Sequence, residues 1–281
     1  MAVSDKDNEI ITKTLMWMLN STQSAVNAEY QFVPQSTINF KYQNYHQEHN
    51  QIVPILLYFG LGINGFYNVD DTNKGKPYVP KAKELDLYQP IPIRCVPVDQ
   101  DLTKAERANY RMRVRRTVNG LDYYCYYLKK ITPLDTTVKI LQTDPDTQIT
   151  TDYEISASDL TPVPVKPTTS GVQNGIITEV NVSFRIELNW LGSEVLEAIE
   201  VLYDGDMTMA KISEIGIYSG EDRSVQGYDS NNAEFTYTEA IYTQLAYKVC
   251  NTGTTIVSPT YNGSRIFTIG DGNVLLLGAG L

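Results

Sequence analysis

The sequence predicts a mainly β protein built of antiparallel, β-sandwich-like sheets, with an N-terminal helix and one or two short helices. Three observations predict it. Asn119-Gly120 separates two strand-like runs, Tyr110 to Val118 and Leu121 to Ile131, and a two-residue type I′ hairpin turn needs the positive φ that Asn and Gly accept. Runs rich in β-branched and aromatic residues recur at Ile176 to Trp190 and Met207 to Tyr218, the composition that suits a pleated, half-buried surface. Prolines and Gly/Asp/Asn clusters punctuate the chain at short intervals, as turns between strands require.

Taken in order, residues 4–20 read as a helix, with Ser4 capping it and Ile11, Leu15, Met18 and Leu19 on one face. Ala28 to Phe66 reads as extended, and the apolar run Ile52 to Phe59 as a buried strand with Pro54 near its start. Asn68 to Asp86 has loop composition, and Tyr88 to Pro97 alternates prolines with Ile91, Ile93 and Cys95 as an edge strand would. Thr103-Lys-Ala-Glu106 supplies a capping box for a short helix. In the hairpin that follows, Val118 faces Leu121, which pairs Arg115 with Tyr124, Arg113 with Tyr126 and Arg111 with Leu128. The same register pairs Arg116 with Tyr123, Val114 with Cys125 and Met112 with Tyr127. A second hairpin is expected from Thr137 to Gln142 and Gln148 to Ile155 around Asp144-Pro-Asp-Thr147. Residues 161–175, rich in proline and small polar side chains, read as a linker between an N-terminal domain (1–160) and a C-terminal one (176–281). The second domain should hold the strand Ile176 to Trp190, a helix from Ser193 to Tyr203 and strands at Met207 to Tyr218 and Phe235 to Val249. Strands Ile266 to Ile269 and Val274 to Leu277 should close it, parted by a Gly270-Asp-Gly-Asn turn.

Composition narrows the function classes. The chain carries 33 acidic and 23 basic residues, a formal net charge of −10, so it is a poor generic ligand for polyanions and direct nucleic-acid contact is not expected. Lys104, Arg107, Arg111, Arg113, Arg115, Arg116, Lys129 and Lys130 nevertheless crowd into residues 104–130, a patch suited to an acidic surface on another copy or a partner. Cys95, Cys125 and Cys250 form no CxxC pair, which favours buried thiols over a disulfide framework or cysteine-ligated zinc. The first residues lack a signal-peptide layout, and no apolar run approaches the roughly 20 residues that span a bilayer. A soluble, non-secreted chain with no membrane contact is expected.

Chemical motifs give way to simpler readings. Gly60-Leu-Gly-Ile-Asn-Gly65 matches a dinucleotide fingerprint but leads into loop composition instead of a helix, so the glycines read as a tight turn at a sheet edge. Asp70 to Lys81 lacks the twelfth-position glutamate of a calcium loop. His46 and His49 are the only histidines, too few for a catalytic zinc that takes three protein ligands. Glu197, Glu200 and Asp204 read as a solvated helix face. No nucleophile elbow is present. No catalytic, metal-binding or cofactor-binding residue and no cofactor are expected, and the chain reads as a non-enzyme.

The run PIPIRCVPVDQDL, the short helix ERANYRMR and the tyrosine-rich Asn-Gly hairpin resemble virion structural proteins of contractile-tailed bacteriophages, as does Ile212-Ser-Glu-Ile-Gly-Ile-Tyr218. The resemblance implies a structural subunit of the head–tail connector or neck–collar region, with a tail baseplate component as the alternative. It further implies a virion location, assembly in the host bacterial cytoplasm, and as partners other virion proteins of the neck or tail and further copies of the chain in a ring-type homo-oligomer. On this reading Arg111, Arg113, Arg115, Arg116, Tyr123, Tyr124, Tyr126 and Tyr127 form one joining surface and Val274, Leu275, Leu276 and Leu277 the other. A different class of function, a carbohydrate-binding module on the virion surface, would use the same hairpin tyrosines as stacking platforms.

Overall fold

The computed structural model describes residues 10–25, 55–65, 67–68, 75–76, 79–144, 147–157, 177–228, 233–255, 259–260 and 262–275. The fold is mainly β, with antiparallel sheets. The chain divides into two compact units, residues 1–132 with 188–265 and residues 133–187 with 266–281. This corrects the single expected boundary at 161–175: each unit is assembled from separate stretches, because its strands find partners far away in sequence. The linker residues themselves lie outside the described residues, as do Ser4, His46, His49 and the turn after Asp70.

The first unit holds an eight-stranded sheet. Strand β1 (Ile10–Lys13) leads into helix α1 (Leu15–Ala25). Residues 10–13 were expected to be helical, but the β-branched Ile10-Ile11-Thr12 favours extended backbone and pairs antiparallel with Cys250, Val249 and Lys248. The helix starts only at Leu15, after Thr14, whose hydroxyl accepts from the Trp17 N–H at 3.2 Å and donates to the Leu245 carbonyl at 2.6 Å. Strand β2 (Ile55–Ile63) is followed by the short strands β3 (Tyr67–Asn68), β4 (Gly75–Lys76), β5 (Gln89–Ile91) and β6 (Arg94–Pro97). The one-turn helix α2 (Lys104–Arg107) carries the expected capping box between Thr103 and Glu106. Strands β7 (Tyr110–Val118) and β8 (Leu121–Lys130) form the expected hairpin in the expected register, with φ of 51° at Asn119 and 80° at Gly120, except that Met112 does not join the ladder opposite Tyr127.

Strands β9 (Thr132–Thr143), β10 (Thr150–Tyr153) and β11 (Ile177–Leu191) precede helix α3 (Gly192–Tyr203). Then come β12 (Lys211–Tyr228), β13 (Glu234–Thr255) and β14 (Asn262–Leu275). The large sheet runs β1-β13-β12-β2-β8-β6, with β5 on β2 and β7 on β8. Its core is built from Tyr58, Phe59, Leu61, Ile215, Ile217, Tyr218 and Val249, all at most 1% exposed. Helix α3 buries Val195, Ala198 and Ile199, and each large apolar side chain so buried contributes on the order of 1.5–3 kcal/mol. Residues 270–273, expected as a turn, continue β14 without a break.

The second unit contains the four-stranded sheet β10-β9-β11-β14. Its β9–β10 hairpin pairs Thr150 with Thr143 through Tyr153 with Ile140. Asp144 organises the connection: its side chain accepts from the Thr147 N–H at 3.2 Å and its carbonyl from the Gln148 N–H at 2.8 Å.

Candidate functional site

The basic hairpin was expected to look outward. Most of it looks inward instead. The Arg111 side chain is only 2% exposed, and its guanidinium meets Asp222 in a two-point ion pair, Nε to Oδ1 at 2.7 Å and Nη2 to Oδ2 at 2.9 Å. The remaining Nη1 donates to the Ala108 and Tyr110 carbonyls at 2.9 and 2.7 Å. Asp222 also accepts from the Tyr58 hydroxyl at 2.6 Å and pairs with Lys130 at 3.0 Å. Burial alone would raise the Asp222 carboxyl, but hydrogen bonds from Arg111 and Tyr58 and the guanidinium charge outweigh it and hold the pKa at about 2. Burial beside that carboxylate pushes the Tyr58 phenol well above its ordinary range.

Asp101 is a second hub. It accepts from Arg107 and Arg113, each at 2.7 Å, and from the Tyr126 hydroxyl at 2.5 Å. The Arg113 guanidinium lies 3.4 Å from the Tyr124 ring centroid, a geometry that adds cation–π attraction to the ion pair. Glu194 on α3 is the third, taking a short hydrogen bond from the Tyr110 hydroxyl and pairing with Lys129 at 3.0 Å. Glu239 on β13 takes the Met112 and Arg113 backbone N–H groups at 2.6 and 3.1 Å and its neighbour Ala240 N–H at 2.8 Å. Met112 has φ of 60°. That local twist turns its N–H toward the carboxylate, and burial raises the Glu239 pKa despite the three donors.

Among the expected interface residues, Arg111, Tyr126 and Tyr127 are therefore corrected: they are 2%, 1% and 4% exposed and packed within this chain. Arg113, Arg116, Tyr123 and Tyr124 are half-buried and Arg115, paired with Asp122, is exposed. Val274 and Leu275 lie at the end of β14, the last strand in its sheet's order. Leu276 and Leu277 lie outside the described residues. Glu197, expected on a solvated face, is half-buried and pairs with Arg94 at 2.9 Å.

The glycine motif is also corrected. Gly60 and Gly62 lie inside β2, not at a sheet edge, and a Cβ on Gly65 would sit 2.1 Å from the Glu214 carboxyl carbon. Gly62 and Gly65 make room for Glu214, which is fully buried and bridges to Lys248 at 2.8 Å and the Tyr88 N–H at 2.7 Å. Cys250 lies 3.8 Å from the same carboxylate, and burial with that charge pushes its thiol up to about 12.

Among the described residues, two open surfaces stand out. One is a groove of about 620 Å³ beside α2 and β13, lined by Lys104, Arg107, Ser224, Phe235, Tyr237 and Thr238. The Arg107 guanidinium stacks 4.8 Å from the Phe235 ring centroid at its wall. The other is the β9–β10 hairpin, where residues 132–139 are all exposed. Leu134, Val138, Ile149 and Ile155 there are 43%, 67%, 60% and 58% exposed. Sequence reading identified the hairpin but not its exposure, since alternation of Thr with Val and Ile fits a half-buried strand equally well. The acids Asp101, Asp222, Glu194 and Glu239 were missed because nothing local marks a carboxylate whose arginine or backbone partner lies on a distant strand.

The described structure is mainly β, and Arg111, Arg113, Arg115 and Lys129 of its basic hairpin meet carboxylates of the same chain. The chain belongs to a family of unknown function, DUF7208, matched over residues 1–272. No curated protein and no solved structure matches it. Among the described residues, no helix is long and apolar enough to cross a membrane.

Proposed function

We propose that this chain is a non-enzymatic structural subunit of a tailed-phage particle, working as an oligomer in the head–tail connector or neck–collar region, with the tail baseplate as the other location. The observation that carries the reading is the β9–β10 hairpin, whose Val138 and Ile149 are both at least 60% exposed. Val138 and Ile149 share the hairpin face that carries Ile140 and Tyr153, and exposed apolar side chains on a sheet face favour pairing with another protein. Charge on the opposite face of the same hairpin, the Lys139–Asp152 pair, keeps that face polar. The proposed joint thus shifts from the basic hairpin to the β9–β10 hairpin, while the end of β14 remains the second surface.

Ring contacts are heterologous, so the two joining surfaces need only complement each other. The test is mass spectrometry of gradient-purified particles together with light scattering of the purified chain. The protein is expected in the particle fraction, and Val138→Glu with Ile149→Glu should block its incorporation while leaving the subunit folded. Absence from purified particles, or normal incorporation of the double variant, would overturn the proposal.

The carbohydrate reading keeps one supporting observation, now at a different place. Phe235 and Tyr237 offer aromatic rings in the groove beside the hydroxyls of Ser224 and Thr238. A glycan array probed with the wild-type chain and with Tyr237→Ala tests it, and a blank array would remove it.

A further inference from the structure

Cys95 on β6 and Cys125 on β8 stand directly opposite each other in the antiparallel register. Both side chains are fully buried, and their sulfurs are 2.6 Å apart. Directly opposed residues on antiparallel strands hold their Cα atoms about 4.5–5.5 Å apart, inside the roughly 4.4–6.8 Å that a disulfide spans. The sulfurs are within about 0.6 Å of bonding distance, so no backbone rearrangement stands between the two thiols and a covalent bond. Cys250 is held elsewhere, beside Glu214. We propose that Cys95 and Cys125 are a disulfide-forming pair, the site of reversible oxidation among the three cysteines of this chain. The inference is independent of the function proposed above.

The oxidant is a small-molecule disulfide such as oxidised glutathione. One protein thiol loses its proton and attacks that disulfide, forming a mixed disulfide and releasing one small thiol. The second protein thiolate attacks the protein-side sulfur of the mixed disulfide and releases the other small thiol. Two protein thiols and one small disulfide become one protein disulfide and two small thiols, with two electrons passing to the oxidant.

Geometry sets the rate. Contact with Cys125 and burial hold the Cys95 thiol well above its ordinary range, so the closed sheet keeps it protonated and unreactive. Strand β6 ends the order of the large sheet and meets β8 through only the pairs from Arg94 with Tyr126 to Pro97 with Tyr123. Local opening of this short edge strand exposes both sulfurs to the oxidant, and reclosing brings them into register. The bond then ties β6 to β8 across the loop that contains the Asn-Gly hairpin.

The experiment treats the reduced full-length chain with excess oxidised glutathione, then alkylates the remaining thiols in denaturant and maps the peptides without reduction. Alkylatable thiols should fall from three to one, with a Cys95–Cys125 crosslinked peptide that a dithiol reductant reverses. The oxidised protein should melt roughly 5 °C or more above the reduced one. Cys250→Ser should form the same crosslink with unchanged efficiency. Three free thiols after prolonged oxidation just below the melting temperature, or a crosslink through Cys250, would overturn the proposal.

Discussion

Replacing Asp222 with asparagine probes the most heavily used carboxylate in the large sheet. In the folded protein its pKa is held at about 2, against an ordinary 3.8. At 1.36 kcal/mol per pH unit that difference contributes about 2.5 kcal/mol of stability when the group is ionised in both states. The sign follows from the depression: the contribution is fully present above about pH 4.5, roughly half remains at pH 3, and most is lost by pH 2. Asp222→Asn removes this charge and leaves Arg111, 2% exposed, as a buried cation without its counterion, a change that costs about 3–5 kcal/mol in comparable buried pairs. The expected loss at pH 7 is therefore about 3 kcal/mol, shrinking to less than about 2 kcal/mol at pH 3. Urea unfolding of the two proteins at both pH values, followed through the buried Trp190, measures it. Adding Arg111→Met should recover part of the loss, because the stranded charge goes with it. A gap below 1 kcal/mol at pH 7, or one that does not narrow at pH 3, would refute the assignment of Asp222 as the ionised partner of a buried guanidinium.

Two glycine substitutions separate space from conformation. Gly65→Ala places a methyl 2.1 Å from the buried Glu214 carboxyl carbon and should destabilise by about 3 kcal/mol or more, read as a melting shift or a failure to fold. Gly120→Ala meets nothing within 4 Å but must adopt φ of 80°, so a loss of only about 1 kcal/mol is expected in the same assay. Glu239→Ala strips three backbone N–H groups of their acceptor and should cost about 3 kcal/mol or more in urea unfolding. The amide of Met112 should lose its hydrogen-exchange protection in that variant.

What was legible in the sequence was what local rules determine. Asn119-Gly120 set the ladder from Val118 with Leu121 to Arg111 with Leu128, Met112 with Tyr127 excepted, and Thr103 with Glu106 announced the capped turn that precedes it. Strand character was visible even in the ambiguous Phe235 to Val249, now part of β13. Pairing between distant strands was not. Ile10–Lys13 shares its apolar spacing with a helix, and only the free edge of β13 decides for strand. The same limit hid the candidate sites: Arg111 and Asp222 are 111 residues apart and Met112 and Glu239 are 127 apart, so the basic run looked unpartnered. Cys95 and Cys125 come together through the β6–β8 register, which no turn motif announces.

The basic cluster of residues 104–130 shows why charge density is a poor guide to interfaces in this protein. An acidic partner was expected for it, and acidic partners are present, but they are Asp101, Asp122, Glu194 and Asp222 of the same chain. A buried arginine held by an ion pair and backbone carbonyls has no donor geometry left to offer another molecule without first paying to break the existing one. Exposed apolar side chains carry no such debt: covering Val138 and Ile149 removes hydrocarbon from water at once. On the proposed function recognition therefore falls to the hairpin with the plainer sequence, while the arginine-rich one locks α2, β7, β12 and α3 around the core.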